Sequence, residues 1–229
     1  MNHEILILYG SRARGDAGPA ADVDLMLVTR GDRPQPPVER AGVSLHRYPA
    51  AWLLTQARSG DLFAYHVGHE GVALQDGDGF LLDLRSAFVR RLSYAADVAI
   101  GLSVARLLVS TDWGLDESLR RRFFWGVRTC LIALTAETGE PTFSARDLEA
   151  RSGVEGVWDL LARRNRAAFE ECRALCARME LALAPFMPEQ LAGGDLRTFL
   201  INAGGYAAEC ALASEQRHWE GGADAAVYA

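Results

Sequence analysis

Two aspartates one residue apart, Asp22 and Asp24, follow closely on a Gly10–Ser11 pair and two arginines, Arg12 and Arg14. Glycine lets backbone approach an anion, and serine adds a hydroxyl that can also cap a following helical turn. Amide groups at a helix start favour phosphate. Asp22 and Asp24 head the apolar run Val23–Val28, where strand alternation places both carboxylates on one face. Paired hard oxygen ligands beside a phosphate-binding turn suit a magnesium–triphosphate complex, because they leave room for phosphate oxygens and water. Gly10, Ser11, Arg12 and Arg14 are therefore candidate nucleotide-binding residues, and Asp22 and Asp24 candidate metal ligands. Arg12 or Arg14 could neutralise charge developing on phosphates. The plainer alternative pairs one of these arginines with Asp16 at the surface, where an ion pair contributes little.

The elements that must position these groups are short. Ile5–Leu8 is an apolar run ended by glycine, as in a buried strand, and Val43–Tyr48 is the strand expected after Asp24. Gly31 to Pro37 reads as a loop, and Pro49 opens a short helix through Trp52, Leu53 and Ala57. A second short helix is expected over Ser59–His66 and a closing strand over Gly71–Asp76. From Leu84 onward the period is helical. Phe88, Leu92, Ala95, Ala99, Leu102 and Val109 form one stripe, and Leu119, Phe123, Val127, Leu131 and Leu134 a second. Ser144–Asp147 reads as a capping box opening a helix that stops at Gly153. A long helix then carries Leu161, Ala168, Cys172, Leu175 and Met179 inward, and a last one runs from Leu196 to Cys210. The expected fold class is α+β: a small mixed β-sheet domain over residues 1–83, then an all-α helical bundle of four or five helices over 84–218. Residues 219–229 read as a disordered tail.

The order Gly10-Ser11, Arg12-Ala13-Arg14-Gly15, Asp22-Val23-Asp24 resembles the motif of the nucleotidyltransferase superfamily that includes DNA polymerase beta, especially its minimal nucleotidyltransferase branch. The resemblance implies that the Gly-Ser turn holds a nucleoside triphosphate and the paired aspartates bind Mg2+ or Mn2+. An acceptor then attacks the alpha phosphorus and pyrophosphate leaves. It favours ATP as donor and a small molecule or a protein side chain as acceptor. The segment from Ser59 to Asp76 resembles the end of the same domain in a bacterial subgroup. The chain departs from the pattern in one place: the family has a third carboxylate on the next strand, and Val43–Tyr48 contains no acid. His46 is the nearest substitute as a base, since imidazole accepts a proton near neutral pH. Whether it faces the aspartates depends on strand register. The helical half resembles two partners of such domains, the helical domain of aminoglycoside adenylyltransferases and the HEPN bundle of toxin–antitoxin systems. The HEPN signature of Arg-Asn, three residues, then His is broken here, since Phe169 stands at the histidine position after Arg164-Asn165.

Composition excludes some classes. The net charge of −6 argues against extensive nucleic-acid binding, though not against a small basic pocket. The most hydrophobic later stretch, Ala99–Ser110, is broken by Arg106 and falls short of the ~20 apolar residues a membrane span needs. With no secretory signal in the opening residues, a cytoplasmic protein is expected. Cys130, Cys172, Cys176 and Cys210 lack paired zinc-ligand spacing and read as buried reduced thiols, and His66 and His69 as a helix-end pair. A homo-oligomer stays open. Two functions remain: an adenylyl-transferring enzyme, or a catalytically weakened nucleotide- or partner-binding protein on the same scaffold. The enzyme is favoured, because both aspartates and the Gly-Ser turn stand together.

Overall fold

The computed structural model describes residues 5–18, 21–110, 116–186 and 196–219. Of the expected tail over 219–229, Trp219 ends the last helix and residues 220–229 lie outside the described residues. Contacts divide the chain into two compact units, one ending at Leu92 and one beginning at Ser93.

The first unit is built on a five-stranded sheet. Its strands are β1 (Ile5–Tyr9), β2 (Val23–Thr29), β3 (Gln35–Arg40), β4 (Val43–Pro49) and β5 (Val72–Gln75), in spatial order β3-β4-β2-β1-β5. β2 and β4 are parallel and the other pairs antiparallel, so the sheet is mixed. Between β1 and β2 lies a single helical turn, α1 (Ser11–Arg14). Ile7, Tyr9, Met26 and Val28 alternate onto one sheet face and are buried there. That face is covered by α2 (Ala50–Arg58), α3 (Leu62–Glu70) and α4 (Phe80–Ala87) through Leu53, Ala57, Ala64, Val67, Phe80, Leu81 and Leu84. The unit extends past residue 83 to Leu92, because α4 lays its apolar side into this core.

Local chemistry explains most of these elements. Pro49 precedes α2 with extended backbone, and Asp61 caps α3 by accepting from the Ala64 amide at 2.9 Å. Residues 59–61, expected inside that helix, form the turn before it. β3 was hidden by Pro36 and Pro37, which are tolerated because β3 is an edge strand with an irregular register at that point.

The second unit is all helical among its described residues. It comprises α5 (Ala95–Val109), α6 (Glu117–Thr138), α7 (Ala145–Ser152), α8 (Val157–Ala162), α9 (Phe169–Leu183), α10 (Leu196–Ala203) and α11 (Gly205–Trp219). The expected four or five helices are thus divided further. Phe88 and Leu92 are not on α5: the chain leaves helical geometry at Phe88, and Leu92 is fully exposed. Glu137 holds the new start, accepting from the Ser93 hydroxyl and the Tyr94 amide. The long helix is broken between α8 and α9, where Ala168 is extended, and the last helix is broken at Gly204. α7 opens at Ser144 as expected but without a side-chain cap, Asp147 accepting instead from the Thr142 hydroxyl at 3.4 Å. α5 and α6 approach closely where Gly101 faces Gly126 and Cys130, since a Cβ on Gly101 would strike the α6 backbone. No helix among the described residues is long and apolar enough to cross a membrane.

Candidate active site

Gly10 takes a positive φ of 76°, which turns the chain sharply from β1 into α1. Its lack of a side chain is required twice, because a Cβ there would also collide with the Asp24 carboxylate oxygen Oδ2. The turn and the second aspartate, fourteen residues apart in sequence, therefore touch. Strand pairing explains how: Tyr9, immediately before Gly10, lies directly opposite Asp24. Ser11 begins α1 rather than capping it, and among the described residues its hydroxyl makes no hydrogen bond.

The two arginines have different partners. Arg12 donates to the Ala21 carbonyl at 2.6 Å and to the Asp22 carbonyl at 3.3 Å, so it fixes the backbone that enters β2. These partners are neutral carbonyls, and among the described residues no carboxylate pairs with Arg12. Arg14 is instead enclosed by carboxylates, with Nη1 at 2.8 Å from Glu70 and Nη2 at 3.2 Å from Asp16. The surface pair with Asp16 is thus present, and a second, less exposed partner joins it.

Register places His46. β2 and β4 pair Asp24 with Ser44 and Met26 with His46, so His46 shares the face of Asp24, two residues further along β4. Its Nε2 is 3.0 Å from the Ser44 hydroxyl, and its ring stacks on Tyr48 and meets Tyr9 edge-on. Burial lowers the His46 pKa below the ordinary imidazole value, against the opposing pull of Asp24 and Glu39. The ring is therefore neutral, and able to accept a proton, at pH 7. Burial likewise raises the Tyr9 hydroxyl pKa, with the Asp24 charge adding to it.

Glu39 is a residue that sequence reasoning passed over. β3 pairs it opposite Ser44, which makes Tyr9, Asp24, Ser44 and Glu39 one row across four strands. Directly opposed residues share a face. The two-residue turn Ala41–Gly42, with both φ values positive, could have signalled a hairpin here. Asp22, Glu39, Arg40, Gly42 and Ser44 line an open cavity of about 260 Å3.

The donor set suits a divalent metal in one respect and limits it in another. Asp22 and Asp24 offer hard oxygens at a turn with no side chain in the way. Among the described residues no three acidic, histidine or cysteine side chains converge as a complete ligand group. A metal held here would take its remaining ligands from phosphate and water. His66 and His69 do not form a metal pair: His66 is buried against Glu70, and His69 stacks on Tyr65. The four cysteines are free and buried, with Cys172 and Cys176 both pushed up to about 12 by burial.

Residues 4–67 match the family model for the nucleotidyltransferase domain. The match supports nucleotidyl transfer in general and leaves donor, metal and acceptor open. It spans Gly10, Ser11, Arg12, Arg14, Asp22, Asp24 and His46, and ends within α3 before Glu70. No curated protein matches the chain.

Proposed function

We propose that the chain is a metal-dependent nucleotidyltransferase that moves AMP from ATP to a small-molecule or protein acceptor. The observation that carries this reading is the contact between the Gly10 turn and Asp24, which brings the backbone of the Gly-Ser turn and a carboxylate to one point. In this reading the Gly10–Ser11 turn receives the triphosphate, with the free Ser11 hydroxyl as a donor. Asp22 and Asp24 hold Mg2+ or Mn2+, which when bound neutralises charge on the phosphates. Arg12 adds positive charge at the same edge while keeping Asp22 in place. His46, neutral at pH 7, accepts the proton of the acceptor group as that group bonds to the alpha phosphorus and pyrophosphate departs.

A second reading is a nucleotide-binding protein without turnover. It is favoured by Ser44, which occupies the β4 position in the row of Asp24 where an acid would complete the set. Incubation with α-labelled and γ-labelled ATP separates the two. An enzyme transfers the α label and releases γ label as pyrophosphate; a binder retains ATP unchanged.

A further inference from the structure

Glu70 lies beyond the matched family segment, yet it reaches the phosphate turn. Its Oε2 is 2.8 Å from Arg14 Nη1 and 2.7 Å from His66 Nδ1. All three side chains are largely shielded, at 16% exposure for Arg14, 17% for Glu70 and 10% for His66. Arg14 in turn is bonded through its own backbone to the turn, its amide donating to the Gly10 carbonyl at 3.1 Å. At the other end, α3 is anchored in the sheet core by Ala64 and Val67, and His66 packs against the edge of the Tyr9 ring. The path from the core to Gly10 is therefore continuous: α3, Glu70, the Arg14 guanidinium, the Arg14 amide, the Gly10 carbonyl.

We infer that Glu70, oriented by His66, is a positioning residue that sets the Gly10–Ser11 turn through Arg14. Glu70 and Asp16 take up Nε, Nη1 and Nη2 of Arg14, so this guanidinium serves as a bracket rather than a phosphate ligand. Burial favours a protonated Glu70, but the hydrogen bonds from His66 and Arg14 outweigh it and hold the carboxyl below its usual range. The bracket is thus charged throughout the neutral range. Arg12, whose partners among the described residues are carbonyls, is the turn's other cation and is open to the triphosphate.

The inference rests on the proposed nucleotide site and makes a prediction opposite to direct phosphate contact by Arg14. If Arg14 met phosphate and Glu70 competed for it, Glu70→Gln would free the cation and tighten nucleotide binding. As a bracket, Arg14→Gln and Glu70→Gln each weaken magnesium–ATP binding about tenfold, and the double variant weakens it no further, since both break one connection. Melting temperature, read alongside, separates this from general loss of fold. Unchanged or tighter binding in Glu70→Gln, or an additive hundredfold loss in the double variant, overturns the inference. If Glu70→Gln does not fold, His66→Asn removes the orienting partner alone. It should weaken binding about threefold, an effect that vanishes when Arg14 is already Gln. Amide hydrogen exchange over residues 11–16 supplies a readout that needs no nucleotide. Exchange should quicken equally in both single variants and the double. Should the native chain bind no magnesium–ATP, the proposed function fails, while unchanged exchange in Glu70→Gln would separately refute the bracket.

Discussion

The two units hold their buried polar side chains by different partners. In the sheet unit, Tyr9, Arg14, His46, His66 and Glu70 are all half-buried or buried, and they contact one another on the face and edge that carry Asp24. In the helical unit the core is built on Leu, Val, Phe, Ala and reduced thiols, and Arg120, Thr135 and Ser214, buried with it, donate to the carbonyls of Asn165, Ile132 and Ala211, while α5 meets α6 at bare glycine backbone. The first arrangement couples charged and aromatic side chains to one another, and the second ties polar side chains to backbone between closely packed helices. Substitutions in the two units should accordingly fail in different measurements.

The largest separation is expected from Gly10→Val. A branched side chain there meets the Asp24 carboxylate and a backbone angle that β-branched residues avoid, so nucleotide binding falls below detection by calorimetry while denaturation of the helical unit is unchanged. Gly101→Val is its counterpart. Overpacking against the α6 backbone should destabilise the helical unit by about 1–3 kcal/mol in urea denaturation, and more if α5 must shift, with magnesium–ATP affinity retained. Loss of nucleotide binding in Gly101→Val and its retention in Gly10→Val would reverse the comparison.

His46 gives a smaller and pH-dependent effect. Its folded pKa is depressed, so the unfolded chain takes up a proton first as pH falls. The contribution of neutral His46 to stability is present above about pH 6.5, the unfolded value, and is lost as pH falls through the folded value. His46→Gln should remove that acid-side decline from the denaturation profile of the sheet unit and, if His46 is the base, lower transfer across pH 6 to 9. An unchanged rate would move the role to Glu39, the acid in the row of Asp24. Ser11→Ala should have the least effect, weakening triphosphate binding by ~0.5–1.5 kcal/mol, the loss of one ordinary hydrogen bond.

What could be read in the sequence was what depends on neighbours in the chain. Gly10, Asp22 and Asp24 are legible because a strand, a turn and a strand fix them locally, and α2, α6 and β5 follow from period and punctuation. Glu70 was not legible, because 56 residues separate it from Arg14 and a single glutamate at a helix end has no distinctive spacing. Glu39 was hidden by the prolines of β3, and the face of His46 required a register that only the parallel pairing with β2 supplies. The helix stripe through Phe88 and Leu92 misled for a related reason. Apolar spacing cannot reveal that a distant carboxylate, Glu137, starts a new helix at Tyr94.

The central claim is that Asp22 and Asp24 hold a metal–triphosphate complex at the Gly10 turn. Calorimetric titration of ATP, with and without magnesium, into the native chain, Asp22→Asn and Asp24→Asn tests it most directly. The account predicts magnesium-dependent binding in the native chain and its loss in both variants, with their folds intact by circular dichroism. Equal magnesium-dependent affinity in all three proteins would contradict it.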